Sequence, residues 1–244
     1  MRLSKRIYAL ADAVNDGDSI ADIGTDHGYV PMILMKQGKS PRVIMSDISE
    51  GSLAKAKETF SASRLNEKVN DSDFRIGDGL QTIGSGEVDE LIIAGLGGHT
   101  IKNILASDEK KSKSFRRLIL QPRKHSGTLR YYLYTHGWDI ESEKLAEEGK
   151  FACEIITAVP SEADRRTAPY PEEDIRWKYP EGIIHADPEL ALNRICWKLG
   201  SLEEQEANLN GGNNNYGDIL DRIREDHSYL TKLKEKAVNS LKSL

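Results

Sequence analysis

In the stretch IADIGTDHGYV, residues 20–30, an apolar run holding Asp22 passes into a turn that carries Gly24, Asp26, His27 and Gly28. Glycine has no Cβ and tolerates positive φ, so such a turn lets backbone approach a ligand closely where a helix begins. A pyrophosphate cradle would read G-x-G-x-x-G. Here the spacing is D-x-G-x-x-x-G, and the carboxylate of Asp26 within the turn would repel a pyrophosphate. It suits a ligand with a cationic centre, such as the ammonium and sulfonium groups of S-adenosylmethionine (SAM). The competing reading is an ordinary βα turn in which Asp26 only stabilises the bend.

Two further acids stand at the ends of the next two apolar runs. Asp47, followed by Ile48, closes VIMSDIS about 20 residues beyond Gly24, where an acid accepts both ribose hydroxyls of a nucleoside. Asp78, followed by Gly79 in IGDGL, can accept the exocyclic amine of an adenine. Three elements at three successive strand ends converge on one crevice at the carboxyl edge of a sheet. The fourth run ends in IIAGLGGHT. Ala94 and Gly95 there complete the expected cofactor set of Asp22, Gly24, Gly28, Asp47, Ile48, Asp78 and Gly79. The Asn/Asp-Pro-Pro-aromatic motif of many exocyclic-amine methyltransferases is absent. Bare backbone at Gly97 and Gly98 leaves room for a flat base and suits a ring nitrogen with its own lone pair. LILQPRKHSGTLR then brings Gln121, Pro122, Arg123, Lys124 and Arg130 to the expected substrate side.

The elements that must hold these residues alternate. Strands are expected at about 18–23, 42–47, 73–76, 88–94 and 116–121, with helices near 3–14, 29–37, 50–66, 99–106 and 124–136. Apolar strands separated by helices imply a parallel sheet covered on both faces. WDIESEKLAEEGKFACEIITAVP then reads as two strands joined at Glu148-Gly149, an antiparallel hairpin on the sheet edge. Five βα units closed by such a hairpin look like the Rossmann-like sheet of class I methyltransferases. From Pro160 to about Pro188 prolines break regular structure, which predicts a linker over 161–187 after a catalytic domain over 1–160. Over 188–244, apolar stripes from Leu192 to Leu209 and from Tyr216 to Leu241, broken by NGGNNNYG, predict a coiled-coil-like helical hairpin interrupted by Glu206 and His227.

Composition bounds the function. No window approaches the ~18 apolar residues of a membrane span, and Arg2, Lys5 and Arg6 stand where a signal peptide would turn apolar, so the chain is expected in the cytoplasm. Cys153 and Cys196 lie far apart in no metal-ligand spacing, and neither a disulfide framework nor a metal site is expected. The net charge of −5 argues against indiscriminate coating of nucleic acid. Lys102, Lys110, Lys111, Lys113, Arg116, Arg117, Arg123, Lys124 and Arg130 nevertheless face only Asp108 and Glu109 over one stretch. That run is either a phosphate-binding patch beside the acceptor mouth or a solvated face.

LADAV, ADIGTDHGYVP, SDIS, IGDGL, IAGLGG, LILQP and LR-YL-THGW-I--E, in this order, resemble the TrmK family of bacterial tRNA (adenine-22-N1)-methyltransferases. The likeness covers roughly residues 1–160 closely and the helical tail more loosely. It implies a SAM-dependent enzyme that methylates N1 of an adenine in the D-arm region of tRNA, with a C-terminal helical domain that helps hold the tRNA. Carried over, Gly24, Asp47 and Asp78 would bind SAM. Asp26, His27, Ala94 to Gly98, Gln121 and Pro122 would surround the adenine, with Asp26 favouring its developing positive charge and His27 positioning the base. Leu96 stands where the family has Met, a volume-conserving swap, and Cys153 stands where it tends to have an aromatic. The tail is more acidic than basic, so shape and a few cations such as Arg194 and Lys198 would have to act as the clamp. Alternatives are another RNA nitrogen as acceptor, a nicotinamide-dependent oxidoreductase, disfavoured by Asp26, and a non-catalytic RNA-binding protein. The oligomeric state stays open, with a monomer as the working expectation.

Overall fold

The computed structural model describes residues 3–149, 151–210 and 216–243. In chain order it runs α1 (Lys5–Ala13), β1 (Ile20–Ile23), α2 (Tyr29–Gln37), β2 (Val43–Asp47), α3 (Glu50–Ala62), β3 (Phe74–Ile76), β4 (Glu90–Leu96), α4 (Gly98–Ser107), α5 (Glu109–Ser112), β5 (Arg117–Pro122), α6 (Ser126–Thr135), β6 (Trp138–Glu148), β7 (Phe151–Pro160), α7 (Ile175–Lys178), α8 (Ile183–Ala186), α9 (Pro188–Asn210) and α10 (Gly217–Lys242). The strands form one sheet in the order β3-β2-β1-β4-β5-β7-β6. Its first five strands are parallel and β7 joins β5 antiparallel, as expected for a class I methyltransferase.

The chain connection reverses between β1 and β4, the point at whose carboxyl edge open α/β sheets bind their ligands. Both sheet faces are covered, which explains why β1 is buried at all four positions rather than alternating. Leu10, Ile33, Leu34 and Phe60 fill one side, from α1, α2 and α3. Ile101, Leu105, Leu129 and Leu133 fill the other, from α4 and α6.

Three expectations are corrected by the packing. The basic stretch is not one patch, because β5 runs through it. Arg116 and Arg117 stand at the amino end of that strand, where Arg116 pairs with Asp18 and Asp89 and Arg117 with Glu141. Arg123 and Lys124 follow the carboxyl end, about 20 Å away at ~3.3 Å per residue. Arg130, expected to meet substrate, is 1% exposed. Its guanidinium binds Glu143 at 2.7 Å, Glu154 at 2.5 Å and the Trp177 carbonyl at 3.1 Å. Finally, the stretch read as a linker is packed, since Ile175, Tyr179, Ile183 and Ile184 are buried with Ile195, Leu199, Leu230 and Leu233 of α9 and α10. The two long helices pair as expected, although Ile219 of the predicted seam is 51% exposed. The NGGNNNYG break lies largely outside the described residues.

Candidate active site

The turn after β1 is tied to β2, because the N–H groups of Gly24 and Thr25 both donate to the Ser46 carbonyl, at 2.8 and 3.0 Å. Gly24 has φ +76°, and a Cβ there would sit 3.6 Å from Leu96 at the end of β4. The turn after β1 thus lies against the Leu96 side chain at the β4 terminus. Gly28 caps α2 at φ +63°, but its missing Cβ makes room for Ala56 and Met45. Packing against α3 and β2 therefore accounts for that glycine. Gly79, at φ +52°, packs against Ile104 of α4 in the same way.

Asp22 is the buried acid of the site, its Oδ2 accepting the Thr25 hydroxyl at 2.7 Å. Burial is the main cause that pushes its pKa up to about 6, and the nearby Asp47 carboxylate adds to it against Thr25 and Arg6. Asp47 ends β2, where its Oδ1 accepts the Ser49 N–H at 2.7 Å. Asp78 starts the short turn over Gly79–Thr82 with no cap bond from its side chain. Ile48 and Ile76, at the ends of β2 and β3, are 72% and 58% exposed. Large apolar side chains left in water beside a rim of acids fit the faces of an adenine. Ile76 escaped the sequence reading, although an isoleucine directly before Gly-Asp-Gly was a signal for it.

The two catalytic candidates lie toward α3. The Asp26 carboxylate accepts Lys55 Nζ at 2.8 Å, which holds its pKa below the usual carboxylate range. His27 stacks on Tyr29, ring centroids 4.9 Å apart and 5° from parallel. Neither is brought to the Gln121-Pro122 end of the crevice.

That end is held by a different network. Gly95, at φ +81°, donates its N–H to Gln121 Oε1 at 3.1 Å, and Arg6 Nη1 reaches the same oxygen at 3.1 Å. Arg6 also binds Glu148 at 2.8 Å, so α1 ties β5 to the hairpin. No sequence signal pointed to Arg6. Gly98 donates to the Lys124 carbonyl at 2.7 Å, and a Cβ on it would meet the His125 carbonyl oxygen at 2.1 Å. Two backbones in contact cannot yield as a side chain can. Gly98→Ala is expected to destabilise by about 3 kcal/mol, the upper part of the range for overpacking, read as a drop in the urea midpoint. A loss below ~0.5 kcal/mol would mean that the 124–125 backbone gives way.

Beyond Gln121 and Pro122 lies a cleft of about 530 Å³ between the end of β5, the hairpin, α7 and α9, lined also by Lys124, Cys153, Glu154, Lys178 and Arg194. Burial pushes the Cys153 thiol up to about 11, so it is a packed thiol and no nucleophile at neutral pH. Among the described residues there is no cluster of groups able to hold a metal ion. Nor is any described helix long and apolar enough to cross a membrane.

A methyltransferase-domain family model matches residues 3–156. The tRNA (adenine(22)-N(1))-methyltransferase of Bacillus subtilis (strain 168) is 36% identical over 170 residues, which are 70% of this chain and 69% of that one. Among solved structures, that of B. subtilis TrmK, an m1A22 tRNA methyltransferase, superposes with a TM-score of 0.77 at 26% identity, covering 96% of this chain and 99% of the other. M. capricolum TrmK, solved with S-adenosyl-homocysteine, shares the fold at a TM-score of 0.76 and 23% identity, over 95% and 99% of the two chains.

Proposed function

The chain belongs to the tRNA (adenine-22-N1)-methyltransferase family, and from that premise we propose that it transfers a methyl group from SAM to N1 of adenine 22 in tRNA. The observation that carries this reading is the set of carboxylates Asp22, Asp47 and Asp78, placed at the ends of three adjacent parallel strands beside the reversal in strand order. Their chemistry fits SAM: a buried acid for a cationic amino-acid end, a strand-end acid for the ribose diol, and a third for the adenine amine between Ile48 and Ile76. SAM supplies an electrophilic methyl group on a sulfonium.

The protein's part is positioning. N1 of adenine is paired or stacked in folded tRNA, so the nucleotide must be turned out to be reached. The ends of β4 and β5 receive it, with Gly95 and Gly97 offering close backbone approach and Gln121 held on two sides. N1 is a neutral lone pair at pH 7 and needs no base, so alignment supplies most of the acceleration. Transfer moves the positive charge of the sulfonium onto the adenine ring and leaves a neutral thioether, while the ammonium of the amino-acid end keeps its own. Asp22, beside the ammonium, and Asp47, on the ribose diol, therefore hold the donor in line while that charge moves. Asp26, matched by Lys55, anchors the turn to α3, and His27 stacked on Tyr29 stiffens the same rim.

In this reading residues 1–160 form the catalytic domain, 188–244 help to hold the tRNA with the packed 161–187 segment beneath them, and the chain works in the cytoplasm. Incubation with methyl-labelled SAM and unmodified tRNA carrying adenine 22 should label the RNA and stop primer extension at that base, because N1-methyladenine cannot pair. A stop elsewhere would keep the methyltransferase and move the acceptor. SAM binding without label would end the proposal.

A further inference from the structure

The cleft beyond Gln121 has a charge balance that methyl transfer does not explain. Its two acids are already matched, Glu148 by Arg6 and Glu154 by both Arg130 and Arg194. Three of its cations are not. Among the described residues Arg123, Lys124 and Lys178 take part in no ion pair, although all three line the cleft. Arg194 reaches it from α9, and its Nη1 is buried with no hydrogen-bond partner. A guanidinium nitrogen withdrawn from water and left unbonded is a costly arrangement that an incoming oxygen would relieve.

The backbone adds to this field. His125, at φ +59°, precedes α6 and makes no side-chain cap bond, and the positive end of that helix lies at Ser126 in the wall of the cleft. Burial holds the His125 imidazole below its ordinary pKa, and His99, Lys124 and Lys178 push the same way, as expected where positive charge is uncompensated.

We propose that this cleft is a phosphodiester-binding subsite, in which Lys124, Lys178 and Arg194 hold a backbone phosphate next to the nucleotide that enters between β4 and β5. The inference rests on the reading of the chain as a tRNA methyltransferase and adds where the strand is gripped. A nucleotide turned out of its stack pivots about its own backbone. Fixing a flanking phosphate therefore fixes the base, and a ligand from α9 makes the grip depend on the helical region. Trp197, one turn along α9 from Arg194 and 70% exposed, provides a stacking face of the kind nucleic-acid surfaces use. Its presence favours a nucleic-acid strand over a small anion.

The test uses the full chain and unmodified tRNA without SAM. Affinity is followed between about 50 and 200 mM salt, and phosphates are mapped by ethylation interference. Lys178→Gln and Lys124→Gln should each weaken tRNA binding about three- to tenfold and lower the salt slope by roughly 0.7–0.9. Interference at one phosphate beside nucleotide 22 should be lost, while SAM affinity measured by calorimetry stays unchanged. Wild-type slope and interference in both variants would overturn the subsite while leaving adenine-22 methylation standing. Millimolar binding of inorganic phosphate to the wild type, with an unaltered tRNA slope in the variants, would assign the cleft to a small anion and also overturn it. Failure of the wild type to bind or methylate tRNA would bring down the underlying reading first.

Discussion

Glu154→Ala is expected to lower stability by about 3–5 kcal/mol, the loss that follows when one partner of a buried ion pair is removed. Glu154 is 6% exposed, and its two oxygens serve three groups. Oε2 accepts Arg130 Nη2 at 2.5 Å, while Oε1 binds Arg194 and accepts the Ser126 hydroxyl at 3.3 Å. Without the carboxylate, two guanidiniums from α6 and α9 would face each other with no acid between them, and Arg130 would keep only Glu143 and a carbonyl. A buried pair is by itself weak support for stability, because its desolvation offsets much of its attraction. The large figure belongs to the truncation.

The pH dependence has a definite sign. Burial alone would raise the Glu154 pKa, but Arg130 and Arg194 outweigh it and hold it below the ordinary 4.5. A depressed carboxyl contributes stability above its unfolded value, and that contribution is lost as pH falls through the folded one. Wild type should therefore lose stability below about pH 4.5 through this group, whereas Glu154→Ala should show a flatter acid limb and a lower plateau at pH 7. Urea titrations across pH would check both, and a plateau loss under ~1 kcal/mol would mean that water replaces the carboxylate. Because the pair links the sheet to α9, tRNA affinity should fall further than SAM affinity.

These residues also mark where the sequence was legible. The placement of Asp22, Asp47 and Asp78 at one edge of the sheet was legible because each interrupts or follows a short apolar run, and a parallel sheet brings such positions side by side. Gly24 and Gly95 were legible for a related reason, since their positive φ is what the glycines in those turns provide. Arg130 was not. On α6 it falls between Ser126 and Leu133 on the buried face, which a stricter helical count would have shown. Its partners lie 13 and 24 residues away on a hairpin, beyond any local pattern. Glu154, inside the apolar run CEIITAV, was the second signal, because a charge in a buried strand requires an opposite one.

The basic stretch failed differently. Charge density along a chain says nothing about which end of a strand a residue occupies, and β5 carries Arg117 and Arg123 to opposite edges of the sheet. The proline-rich segment was read from its breakers. Its isoleucines carried the packing, since Ile175, Ile183 and Ile184 fill the gap under α9 and α10 in turns too short to show a period. Arg6, Lys178 and Arg194 reach the site from elements remote in sequence, which only the folded chain brings together.

Asp22→Asn should weaken SAM binding about 100-fold at pH 7.5, roughly 2.7 kcal/mol, and make the ligand-free protein more stable. Both effects follow from one buried carboxylate. Its pKa in the folded protein, about 6 against an ordinary 3.8, means that folding disfavours the ionised form. The stability this group contributes is fully present below the unfolded value and is lost as pH rises through 6. At pH 7.5 the free protein thus holds a desolvated negative charge that a cationic ligand would relieve, and an isosteric amide removes the penalty together with the attraction. Binding must then draw the Asp22 pKa down. SAM affinity should be nearly flat above about pH 7 and fall toward tenfold for each unit below 6. In Asp22→Asn that dependence should vanish. Calorimetric titration from pH 5 to 8, paired with urea unfolding of both ligand-free proteins, separates the outcomes. A flat wild-type profile would remove Asp22 as the partner of the cation, whereas a steep profile with a destabilised Asn variant would show that the Thr25 hydrogen bond, not burial, governs this carboxylate in the free protein.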